Sequence, residues 1–91
     1  MSGQSDFFNE LKILQDVVVN IMISNESKYA DTGDLLVDTT YETIYKVLEL
    51  IDGYGINHKK YEVKDIINDE IINKTISLHN MCESTLSHTD L

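Results

Sequence analysis

The chain has 91 residues, 42% of them hydrophobic and 25% charged, which suits one folded domain and is too apolar for a disordered segment. Sixteen acidic residues stand against seven basic ones, all lysines, for a net charge of −9. Without arginine the chain lacks the bidentate donors that read bases and phosphates, and its negative charge is repelled by anionic membrane surfaces. No nucleic acid and no membrane are therefore expected as partners, and a protein with a basic surface is.

The single cysteine, Cys82, rules out an internal disulfide and suits a reducing compartment. The leading MSGQSDFF has neither the basic nor the apolar region of a signal peptide, and no apolar run has the length of a membrane span. The expected location is cytoplasmic. Residues 1–91 read as one domain, with 1–5 and 87–91 as disordered tails.

In chain order, the spacing predicts a first helix over Asp6–Asn25, capped by Ser5 or Asp6. Phe7, Leu11, Leu14, Val18, Ile21 and Met22 recur at helical intervals and form its inner face. Ile13, Val19 and Ile23 interrupt the polar side, which points to wide burial or to contact with a second chain. Asn25–Asp38 reads as a connection that turns at Asp31-Thr32-Gly33. Within it Leu35–Val37 is either a brief strand or a lead-in packed under the next helix. Asp31, Asp34 and Asp38 lack the alternate spacing of a calcium loop.

The clearest element is Thr39–Gly55. Thr39 and Glu42 have the spacing of a capping box, and Gly53 and Gly55 supply a stop. Ile44, Val47, Leu48, Ile51 and Tyr54 would face the core. The opposite side carries Glu42, Tyr45, Glu49 and Asp52, with Asp38 one turn earlier, an acidic stripe with a tyrosine at its centre. A solvated outer face is the ordinary meaning of such a stripe. The alternative is a docking surface, because like charges three and four residues apart repel and an exposed Tyr is a favoured anchor.

Tyr61–Ile67 and Glu70–Ile76 read as two strands around an Asn68-Asp69 turn. That register puts Tyr61, Val63, Ile67, Ile72 and Ile76 on one face, and Glu62, Lys64, Asn73 and Thr75 on the other. Ile66 and Ile71 would sit opposite each other on the outer face. A lone hairpin is marginal in water, so its apolar face should lie on the helices. Ser77 would cap a last helix, Leu78 to about Leu86, with Leu78, Met81 and Cys82 inward. The fold expected is α+β, in the order helix–helix–β-hairpin–helix, with the hairpin packed on the helices.

The chemistry is sparse. His79 and Cys82 have the spacing of a thiol–imidazole pair or of two zinc ligands, but further ligands at suitable spacing are absent, and Cys82 reads as a small core residue with His79 at the surface. None of the four glycines forms a phosphate loop. No catalytic residue, metal or cofactor is assigned. The function expected is that of a small acidic protein-binding protein, of inhibitor, immunity or adaptor type. It would use Asp38, Glu42, Tyr45, Glu49 and Asp52. The alternative is a self-associating assembly module, a homodimer through Ile13, Val19 and Ile23 or through Ile66 and Ile71. A small enzyme is the third reading.

Overall fold

A computed structural model describes residues 3–89. The order is helix, helix, hairpin, helix, and the class is α+β. Helix α1 spans Gly3–Asn25 and a 3-10 turn, Glu26–Lys28, leads to α2, Thr32–Glu49. A π-helical turn, Leu50–Tyr54, ends α2. Two short antiparallel strands follow, β1 (Lys64–Asp65) and β2 (Glu70–Ile71). A 3-10 turn over Leu78–Met81 runs into the single turn of α3, Cys82–Thr85.

α2 begins seven residues earlier than the capping-box spacing suggests. Asp31 is its cap: the amide of Asp34 donates to Asp31 Oδ1 at 2.8 Å. Its first two turns absorb Leu35–Val37, which are helical and not a strand. The Thr39 hydroxyl donates to the Leu35 carbonyl at 2.7 Å, a bond made inside a helix and not at its end. The stop does fall at Gly53, whose φ of +103° is the left-handed conformation that favours glycine. Gly55 has an ordinary extended φ, but a Cβ there would come within 2.5 Å of Glu10 Oε1 and Leu50 Cδ1. That close approach sets the end of α2 against the start of α1, so the two helices run antiparallel.

The hairpin is shorter than its β-branched composition predicts. Lys64 pairs with Ile71 and Asp65 with Glu70, and the connection is a four-residue turn. Asp65 organises it, with Oδ1 accepting from the amides of Ile67 and Asn68 and Oδ2 from the Asn68 side chain. Asp69 takes a positive φ of 54°, which aspartate tolerates. The register shift places Ile71 opposite Lys64, not Ile66, and leaves Ile67 94% exposed instead of facing the helices. Ile72 and Ile76, also expected inward, are exposed.

Asn73, expected on the outer face, is fully buried. Its side-chain amide takes the place of strand partners. Oδ1 accepts from the Val63 amide at 2.9 Å and Nδ2 donates to the Tyr61 carbonyl at 2.6 Å. The hairpin region reaches the helices through Tyr61, whose amide donates to the Ile51 carbonyl at 2.8 Å and whose ring meets Phe7 edge-on at 5.2 Å.

The interior mixes apolar and polar groups. Val18, Met22, Leu50 and Cys82 are buried, and so are Glu10, Asp38, Asp52 and Asn73. Cys82 is the core residue its context suggested. On α1 the inner face is as expected, with Val18 and Met22 at its centre and Phe7, Leu11, Leu14 and Ile21 half-buried beside them. On α2 the expected core face is rotated. Ile44 and Tyr54 are exposed, while Leu50, assigned to no face, is buried. The C-terminal segment packs on the side that carries Asp38 and Asp52, opposite to the side expected to be covered.

Candidate functional site

The five residues of the acidic stripe do not stay together. Asp52 rides on the π-helical turn, and its side chain is 1% exposed. Its Oδ2 accepts from the backbone amide of His79 at 2.9 Å and lies 2.6 Å from His79 Nδ1. Burial pushes the Asp52 carboxyl up, but the amide and ring of His79 and the amide of Leu78 outweigh it and hold the group below the ordinary 3.8. His79, expected at the surface, is thereby a tie between the last segment and the end of α2.

Asp38 is buried in the same way one side of the helix further back. It accepts from the Tyr29 hydroxyl at 2.8 Å and from both the amide and the hydroxyl of Thr89. Burial again raises its carboxyl, and the Thr89 and Tyr29 bonds more than offset that, leaving it below 3.8. Burial, with the Asp38 carboxylate beside it, pushes the Tyr29 phenol up to about 12. Thr89 is therefore anchored where a loose tail was expected, and Gly3–Ser5 are helical; Met1, Ser2, Asp90 and Leu91 lie outside the described residues. Asp38 and Asp52 are thus buried and fasten the fold internally, where a surface stripe was expected.

Glu42 and Tyr45 remain at the surface, and the fold gives them company that helical periodicity alone does not reveal. They line a polar groove of about 410 Å³ with Tyr41 and Lys46 of α2 and with His79, Asn80 and Glu83 of the last segment. Tyr41 and Tyr45, four residues apart, stack at 6.1 Å with an interplanar angle of 22°. Tyr45 meets the His79 ring edge-on at 5.6 Å, and Tyr41 packs against His88 at 4.9 Å. The Asp52–His79 pair thus fixes the wall against which Tyr45 rests. Lys46 has Glu49 at 3.6 Å, so the groove's cation is partly neutralised and Glu49 is engaged within its own helix. Among the described residues no cation pairs with Glu42 or Glu83, the other charges on the groove.

Tyr41, His79, Asn80 and Glu83 were missed as site residues. Tyr41 and Tyr45 have the i, i+4 spacing of a helical pair, a signal that was present. Nothing in local spacing relates α2 to residues 79–83, which are brought in by tertiary packing.

The groove offers stacked phenol rings, two carboxylates and an imidazole. His79 has the carboxylate-bonded nitrogen of a general base's dyad, but among the described residues the hydrogen bonds of its ring run to Asp52 alone and no hydroxyl or thiol is bonded to it. Cys82, buried, has its thiol pushed up by burial and by the charge of Asp52, the opposite of an activated nucleophile. Among the described residues no three His, Cys, Asp or Glu side chains converge as metal ligands would. No described helix is long and apolar enough to cross a membrane.

No protein-family model matches the chain, no curated protein matches it in sequence, and no solved structure matches its fold.

Proposed function

We propose that the chain is a protein-binding protein whose groove between α2 and the 79–83 turn receives a lysine or arginine side chain of a basic partner. The observation that carries this is the stacked Tyr41–Tyr45 pair, which lines one groove with the carboxylates of Glu42 and Glu83. Aromatic faces attract a cation electrostatically, and flanking carboxylates add charge and hydrogen-bond acceptors. The net charge of −9 would speed encounter with such a partner. Pre-ordering supports the reading as well. Tyr45 is held by the His79 ring, so less side-chain entropy is lost on binding than for a free surface tyrosine.

The recognition site is accordingly Glu42, Tyr45 and the added Tyr41 and Glu83, with Glu49 at its margin. A lysine-rich peptide, titrated into the labelled protein and followed by NMR, tests the proposal. Shifts should centre on Tyr41, Tyr45, Asn80 and Glu83. Tyr45→Ala and Glu42→Lys should each weaken binding about tenfold, a loss of ~1.4 kcal/mol. A peptide that binds equally well to both variants, or that maps elsewhere, removes the groove from the account.

A further inference from the structure

We infer that a second copy of this chain covers the outer face of the α1–α2 hairpin, forming a dimer of helical hairpins. The face is apolar where a solvated face should be polar. On α2, Leu36, Val37, Thr40 and Ile44 share one side of the helix, and all are exposed, Leu36 by 57%. On the adjoining flank of α1, Phe8 is 60% and Ile23 64% exposed, with Val19 between them. A groove of about 570 Å³ runs between the helices here, with Phe8, Leu11 and Val19 on one wall and Thr39, Thr43 and Val47 on the other. The threonines do not make this wall polar. The hydroxyls of Thr39 and Thr43 donate to the carbonyls of Leu35 and Thr39, so their methyl groups are what remains to be covered. Thr40 is spent likewise on the carbonyls of Leu36 and Val37.

Charge says what the occupant is. A basic partner needs carboxylates to recognise, and this face offers no free one. On α1, Asp6 is 2.6 Å from Lys59, Asp16 is 2.8 Å from Lys12, and Glu10 is buried. On α2, Asp38 is buried, Glu42 lines the Tyr41–Tyr45 groove, Glu49 pairs with Lys46, and Asp34, two residues before Leu36, points to the other side of the helix by helical spacing. This is therefore the surface on which two chains of charge −9 can meet without bringing uncompensated carboxylates together.

Area points the same way. A compact monomer of this mass exposes about 5,400 Å², and this chain exposes 6489 Å². Its radius of gyration is 14.8 Å, against about 12 Å for a compact chain of this length. The excess, about 1,100 Å², is spread over the whole molecule, and covering ~800 Å² of it, the share of each partner in a standard stable interface, would bring the chain close to the compact value. Two antiparallel helices with a shared apolar face complete their burial when a second pair packs on them as in a four-helix bundle, and an isologous contact of this kind closes at two copies.

Sedimentation velocity across a micromolar range tests the inference, with the full chain. The wild type should shift from monomer to dimer with concentration. Ile23→Glu with Leu36→Glu should raise the dimer dissociation constant at least ~tenfold. The milder pair Ile23→Thr and Leu36→Thr serves if the charged variant does not fold. Ile66→Glu, on the hairpin turn, should leave the dimer unchanged. A wild type that stays monomeric at the highest concentration overturns the inference. So does a dimer unaffected by the helix-face variants, or one abolished by Ile66→Glu.

Discussion

At the scale of single residues, buried carboxylates do the work that a larger apolar core does elsewhere. Asp52 joins the end of α2 to His79, and Asp38 joins its beginning to Tyr29 and Thr89. Asp52→Asn keeps the shape but loses the charge that both His79 bonds use, and should cost about 2 kcal/mol in chemical denaturation. A change within a few tenths would mean that the pair is solvated. Tyr29 adds an alkaline limit. Its phenol is raised from 10.0 to about 12 in the folded chain, so its contribution is complete below pH 10 and is lost as pH rises through 12. Tyr29→Phe should remove that alkaline loss of stability, as read by fluorescence or circular dichroism against pH. None of these ties was legible in the sequence. A carboxylate at helical spacing opposite an apolar run reads as solvent-facing, and the backbone amides that bind Asp38 and Asp52 lie 51 and 27 residues away in the chain.

At the scale of elements, local signals succeeded where one residue decides and failed where two compete. Gly53 stops α2 because only glycine takes φ of +103° without strain. Two caps competed for its start, and Asp31 won because it is followed by Leu35–Val37, which have no strand to pair with and propagate the helix instead. The consequence is measurable: Asp31→Ala should cost about 1 kcal/mol, whereas Thr39→Ala should be close to neutral. The reverse order would restore the later cap. Gly55→Ala crowds the buried Glu10 and Leu50 side chains and should destabilise by ~1–3 kcal/mol in the same assay. The hairpin's existence and place were legible from its β-branched runs. Its length was not, because the Asp65 side chain captures the Ile67 and Asn68 amides and closes the ladder after two pairs.

At the scale of the whole molecule, order and class follow from composition and periodicity, but the orientation of α2 does not. Helical spacing gives two faces and leaves open which one a distant segment will cover. Here the 77–89 segment brings amides, a hydroxyl and an imidazole to the acidic side, so Asp38 and Asp52 are buried there while Ile44 and Tyr54 of the apolar side are left exposed. Of the five stripe residues, Glu42 and Tyr45 keep a place in the candidate site. The same arrangement predicts acid sensitivity. Asp38 and Asp52 both sit below the ordinary 3.8 when folded, so their stabilisation is full above that pH and is lost as pH falls through their depressed values. The central claim is that α2 turns these two carboxylates inward, and a site-resolved carbon NMR titration of the aspartate carboxyls tests it most directly. The account predicts midpoints below 3.8 for Asp38 and Asp52, with the Asp52 midpoint moving up toward that value in His79→Ala. Midpoints at the ordinary value for both, unmoved by His79→Ala, would contradict it.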